Sequence, residues 1–293
     1  MMNPVFRRET QTLMRTFRTF LAMMLYVGVL ALVAWVFVAM TPDNYYAGFQ
    51  PQSAIYLYWA LGAFQLGLAM LIAPVFAGSS ISGERERQTL DLMLVTKMTH
   101  RRIILGKLAS SLIVILLMIV ASMPVFSIIL YFGGLSLFNL LSLTAYTLLM
   151  AALSGSVAIF FSAWTKKTLV SIVASGVAVA AMTIGNLIAM LLINLFYYNA
   201  NSESLPFALN KLLLGLNPGV GFFALMDAQF GSGIMDSFVR ELIDQRSMDT
   251  VNEVWLAIPF WVITCVFAIG VSAVCLYYAA KCLDANRKNR KGV

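Results

Sequence analysis

Six apolar stretches, each of about twenty residues or more and free of Asp, Glu, Lys, Arg and His, run through this chain of 293 residues. They are Leu21 to Met40, Ala54 to Ala77, Leu108 to Tyr131, Leu140 to Ala163, Thr168 to Leu195 and Val254 to Ala280. A helix rises about 1.5 Å per residue, so each stretch matches the ~30 Å of hydrocarbon in a bilayer. The sequence therefore predicts an all-α polytopic membrane protein with six transmembrane helices. Only 11% of residues are charged, against about 25% in an ordinary globular chain. Mean hydropathy is +0.84. Together these exclude an ordinary soluble enzyme, a disordered chain, a collagen and a nucleic-acid-binding domain. The first stretch has about twice the apolar core of a secretory signal, with no small-x-small cleavage site behind it, and is expected to stay on as an anchor.

Charge then orients the spans. The segments on the amino-terminal side hold Arg7, Arg8, Arg15 and Arg18; Arg85, Arg87, Lys97, Arg101, Arg102 and Lys107; Lys166 and Lys167; and Lys281, Arg287, Lys288, Arg290 and Lys291. The other side holds Lys211, Arg240 and Arg246 beside eight acids. By the positive-inside rule both termini are expected in the cytoplasm.

What the spans lack is as informative. A self-energised carrier usually buries a titratable group along its route, and these cores carry none. The chain has no HExxH, no GxSxG and no GxxxxGK[ST] phosphate loop, since Gly106-Lys107 is followed by Leu108. No catalytic site is expected here, and any ATP must be bound by another chain. The run GSSISG, Gly78 to Gly83, reads as a Gly/Ser helix end at the membrane surface. Cys265, Cys275 and Cys282 have no paired spacing and read as small fillers. The 17 methionines are dispersed, which favours flexible packing over a cuprous route, and no metal site is expected.

One cytoplasmic loop carries most of the information. From Glu84 to Arg102 it holds eight charges, and burying them in lipid would cost on the order of 20 kcal/mol at about 2.5 to 3.5 each. Leu90, Met93, Leu94 and Lys97 fall at helical spacing, giving a short apolar stripe on a segment too small for its own core. Such a stripe calls for a partner surface. Lipid headgroups are one choice, but Glu84, Glu86 and Asp91 would be repelled by an anionic leaflet and suit a mixed-charge protein surface.

The run ISGERERQTLDLML followed by THRRIILGKL, Ile81 to Leu108, closely resembles the signature loop of ABC-2 type transporter permeases. NPVFRRETQTLMR, Asn3 to Arg15, resembles that family's amino-terminal interfacial helix, and Phe6, Leu13, Phe17 and Leu21 lie on one face of it. One departure is LVTKMTH, Leu94 to His100, where many relatives have a small residue and a proline. The resemblance implies a single permease domain, residues 1–293, with an interfacial elbow at 1–20, a coupling loop with a coupling helix at 78–107, an extracellular segment at 196–253 and a basic tail at 281–293. It implies a second permease half, identical or homologous, and cytoplasmic ABC ATPase subunits that hold ATP and Mg; this chain would bind no cofactor itself. Carried over by motif, Glu84, Arg85, Glu86, Thr89, Leu90, Leu94 and Arg102 would couple the ATPase to the spans, the acids meeting ATPase cations.

A substrate route is expected along mildly polar faces. The fifth span carries Ser171, Ser175, Gly176, Gly185, Asn186 and Asn194 and is long enough to tilt or break. Asn186, Met190 and Asn194 fall on one face of a helix, and they with Gln65 are the path candidates; hydrogen bonding between neighbouring helices is the alternative. Pro74 and Pro124 read as kinks. In the outer segment, two apolar pieces around Asn217-Pro218-Gly219 are too short to span, which suits a re-entrant or interfacial hairpin; the resemblance implies an outer gate in this segment, with a plain lid as the alternative. A second stripe, Ile234, Met235, Phe238, Val239 and Leu242, follows it. The resulting expectation is the permease subunit of an ATP-driven exporter in a plasma membrane. A membrane scaffold that recruits an ATPase, and a passive channel, are the competing readings.

Overall fold

The computed structural model describes residues 17–40, 51–89, 99–201, 207–231, 233 and 258–291. Every element among them is helical: α1 (Phe17–Met40), α2 (Pro51–Glu86), α3 (His100–Gly133), α4 (Leu137–Trp164), α5 (Thr168–Ala180), a π turn (Ala181–Gly185), α6 (Asn186–Asn201), α7 (Phe207–Gly215), α8 (Pro218–Phe230) and α9 (Phe260–Lys291). Six helical stretches are long and apolar enough to cross a membrane, the fifth made of α5, the π turn and most of α6, Thr168–Tyr197. These are the six stretches expected from the sequence. The chain divides into two compact units, one of residues 1–176 and 271–293, the other of residues 177–270.

In the first unit, α2 packs against α3 and α4, α3 against α4, and α1 against α2 and α3. Burial of α4 far exceeds that of the other spans, so it forms the centre of this unit. Lipid tails are as apolar as leucine, so close packing and hydrogen bonds must hold such helices together. Gly155 supplies the first: a Cβ there would lie 3.1 Å from Leu108 Cδ1. Ser154 supplies the second, its Oγ donating to the Met70 carbonyl at 2.8 Å. Gln65, 1% exposed, accepts from Ser122 at 3.3 Å. At the other end Tyr58 donates to the Asn139 carbonyl at 2.9 Å and stands edge-on to Phe126. The reversal from α3 to α4 takes three residues. Gly134 provides the left-handed turn (φ 62°) and Ser136 caps α4 through Phe138 N–H.

Several boundaries differ from the sequence reading. The second helix does not stop at Gly78. It continues through GSSISG to Glu86, because Ser79, Ser80 and Ser82 return their hydroxyls to carbonyls three or four residues back, and Gly78 lies against Ile172. At 36 residues α2 is about 54 Å long by helix rise, well beyond the hydrocarbon thickness. The third helix likewise starts at His100, so the segment between the two helices is 87–99, shorter than the 78–107 loop expected. Residues 17–20 belong to the same helix as the first span, where an interfacial elbow was expected. The last span starts at Phe260, immediately after Pro259, a residue with no N–H to donate and best tolerated at a helix start. The helix also runs on into the basic tail as far as Lys291. Pro74 and Pro124 both lie inside helices that continue past them. Residues 1–16, Leu90, Leu94 and the stripe at 234–242 lie outside the described residues.

In the second unit, α7 and α8 meet at a bend of 97°. The hydrophobic cluster there joins Met190, Leu213, Leu214, Val220, Ala224, Phe260 and Trp261. Gly215 permits the approach of α9: a Cβ on it would stand 2.6 Å from Ile263 Cγ2.

Candidate functional site

The motif residues at the end of α2 converge with the start of α3 and the α4–α5 connection, all within the first unit. Lys107 is 1% exposed, and its ammonium donates to the Ser80 carbonyl at 2.7 Å and to Glu84 Oε1 at 2.8 Å. A buried ammonium without such partners would cost several kcal/mol. This pair ties the two stems of the 87–99 segment together. The next residue, Arg85, donates to the carbonyls of Thr165 at 2.8 Å and Ala163 at 3.1 Å. Those carbonyls belong to the end of α4, where the helix leaves its last acceptors unfilled. Glu86 receives Thr168 N–H at 2.8 Å and Thr168 Oγ1–H at 2.7 Å, so an acid seats the first turn of α5.

A layer of hydroxyls lies beneath these charges. Ser162 Oγ accepts from the backbone N–H of Ile81 at 3.1 Å and of Ser82 at 2.9 Å and lies 3.2 Å from Ser82 Oγ. Ser171 donates to the Gly78 carbonyl at 3.0 Å. Around them Ala77, Ile81, Ile104, Leu108, Ala158, Ile159, Ala163, Ala279 and Leu283 form one buried cluster. The ends of α2, α3, α4 and α5, with Ala279 and Leu283 from within α9, therefore share a single joint. Its chemistry is that of a fastener: charges and hydroxyls aimed at backbone carbonyls and N–H groups.

The α2 terminus is itself defined. Thr89 N–H bonds the Glu84 carbonyl at 2.9 Å and Gln88 N–H the Arg85 carbonyl at 3.1 Å, a Schellman pair with Gln88 in the left-handed region at φ 57°. Arg102 sits exposed in the first turn of α3, its N–H on the Thr99 carbonyl at 2.9 Å. Glu84, Arg85 and Glu86 are thus brought together with bonding partners inside the chain, where the sequence reading had the acids meeting partner cations. Lys107, Ser162 and Thr168 were not singled out for a site from the sequence, and Ser171 was read only as part of the mildly polar face of the fifth span. The pattern held one usable signal, a lysine between the apolar run Ile103 to Leu105 and the span that starts at Leu108, which calls for an acceptor.

The path candidates also have bonding partners. Within the second unit Asn186 donates to the Leu213 carbonyl at 3.2 Å, and Asn194 to Asn210 Oδ1 at 2.9 Å. Met190, between them, is 2% exposed in the cluster with α7 and α8. All three lie on the face expected, and that face is packed against α7. Gln65 and Met190 are buried, so neither lines an open route in this conformation. Asn217 Oδ1 caps α8 through Gly219 N–H at 2.8 Å and Val220 N–H at 3.3 Å, with Pro218 at the first helical position. Among the described residues no cluster of His, Cys, Asp or Glu is placed to hold a metal ion. In comparisons with known proteins, no family model matches the chain and no curated protein matches it.

Proposed function

We propose that this chain is the transmembrane permease subunit of an ATP-driven exporter, with ATP hydrolysed by separate cytoplasmic subunits. The observation that carries the reading is the joint at the end of α2. A stripe at Leu90, Met93 and Leu94 on a segment clamped at both stems, by Glu84 to Lys107, can pass force to the spans without slack. Arg85 and Glu86 extend the same joint to α4 and α5, so one push is distributed over several helices at once. On this reading Leu90 and Leu94 fill a groove on the ATPase, Thr89 and Arg102 flank the contact, and Glu84, Arg85 and Glu86 are the transmission behind it. Both termini face the cytoplasm of a cell with this chain in its plasma membrane. A second half, identical or homologous, completes the route.

The outer segment fits the same scheme as a re-entrant hairpin. Asn217 Nδ2 donates to the Thr183 carbonyl at 2.7 Å, and Thr183 lies near the middle of the fifth apolar helix, Thr168–Tyr197. That contact supports a path that dips toward the middle of the helix. On this reading Asn217, Pro218 and Gly219 form the outer gate.

The test is recovery of partners from mild detergent. A tagged chain co-expressed with its ATPase should bring down a soluble ATP-binding subunit, and Leu94→Asp should lose it while membrane insertion stays intact. Recovery of the folded chain alone would refute the exporter and favour a channel. An ATPase recovered with no substrate movement in proteoliposomes would favour a scaffold.

A further inference from the structure

The fifth apolar helix is interrupted at its centre by a π turn, Ala181–Gly185, in which Asn186 N–H reaches back five residues to the Ala181 carbonyl. A π turn is one residue more than an α-helix needs, and such insertions are uncommon outside functional positions. Here it is tied to the α7–α8 bend by two asparagines. Asn217, 1% exposed, uses one end of its amide to cap α8 and the other to donate to the Thr183 carbonyl inside the turn. Asn186, which closes the turn, lies 3.4 Å from the same amide through its Oδ1 and donates its own Nδ2 to the last carbonyls of α7 at Leu213. Three interrupted helical ends thus share one set of hydrogen bonds, all within the second unit.

We infer that the π turn is a register switch whose state is set by Asn217. While Asn217 donates to Thr183, the extra residue is held between Ala181 and Gly185. When the α7–α8 bend moves and takes Asn217 with it, the carbonyl loses that donor and the extra residue is free to migrate along the helix. Each residue of migration turns the segment it crosses by about 100°, which carries the Asn186, Met190 and Asn194 face away from α7. The hairpin and the fifth helix are therefore one mechanical unit. This conclusion rests on the asparagine geometry and stands apart from the exporter reading.

Hydrogen exchange of the full chain in nanodiscs, read by mass spectrometry, tests it. Asn217→Ser keeps a capping oxygen for α8 but is too short to donate to Thr183. It should speed exchange over residues 181–187 about tenfold, the loss of one buried hydrogen bond, and leave residues 219–222 unchanged. Deleting Met182 removes the extra residue. In that background the helix has one register, and Asn217→Ser should no longer alter exchange over the shortened turn. Unchanged exchange at 181–187 in Asn217→Ser would overturn the inference. So would equal acceleration of 181–187 and 219–222, which would mark Asn217 as a simple structural contact. If the deletion chain does not fold, the Asn217→Ser comparison decides alone.

Discussion

Removing the acid that faces Lys107 should cost more than removing Lys107 itself. At 2.8 Å the pair attracts by about 6 kcal/mol gross at an effective dielectric of ~20. Most of this offsets the desolvation of an ammonium that is 1% exposed, whereas Glu84 keeps 24% of its surface in contact with solvent. In Glu84→Gln the buried ammonium loses its carboxylate and meets a weaker amide acceptor in its place, while the Ser80 carbonyl stays. Breaking a fully buried pair costs about 3 to 5 kcal/mol, and the exposure of Glu84 lowers the expectation to about 2 to 3. In Lys107→Met the apolar stem is kept and a carboxylate on a side chain 24% exposed is left without its cation, its Oε2 buried and unpartnered, at about 1 to 2 kcal/mol. The double variant has no stranded charge and should cost little more than Lys107→Met alone, a coupling of about 2 kcal/mol. Reversible SDS-induced unfolding in mixed micelles measures all three. Additive single effects, within about 0.5 kcal/mol, would refute the clamp.

Further outcomes follow from single positions. Gln88→Gly should stabilise the chain by about 1 kcal/mol in the same unfolding assay, because a left-handed backbone costs a side-chain-bearing residue about that much. Ser162→Ala should destabilise it by about 1 to 2 kcal/mol through loss of the acceptor shared by Ile81 and Ser82. Gly215→Ala should cost about 1 to 3 kcal/mol from collision with Ile263, and Ile263→Ala should recover part of it in the double variant. Glu86→Ala should raise hydrogen exchange in the first turn of α5 while leaving the centre of α4 as it was; equal exchange in α5 would remove Glu86 from the joint.

The spans were legible because their signal is local: twenty apolar residues mean the same thing wherever they occur. Ends were harder. Gly78 to Gly83 looks like a terminus because glycine and serine favour ends in water, yet here serine hydroxyls fold back on carbonyls and the missing Cβ of Gly78 accommodates Ile172. Glu84, Arg85 and Glu86 were identified by pattern, but their partners lie about 80 positions away at Ala163, Thr165 and Thr168, or at Lys107. Periodicity carries no information about pairings of that separation. The same holds for Asn186 and Asn194: their common face could be read from spacing, and the helix covering it could not.

Most bonds of the joint end on main-chain atoms. Lys107 takes the carbonyl of Ser80, Arg85 those of Ala163 and Thr165, Ser171 that of Gly78, and Ser162 the N–H groups of Ile81 and Ser82. A carbonyl is supplied by any residue, so the joint is written asymmetrically into the chain. Substitutions that spare the packing at Ser80, Ala163 and Thr165 leave their half of each bond in place, while Arg85, Lys107 and Ser162 have no ready replacement. A saturation library should therefore divide this region into tolerant acceptors and intolerant donors and caps, even where the two touch.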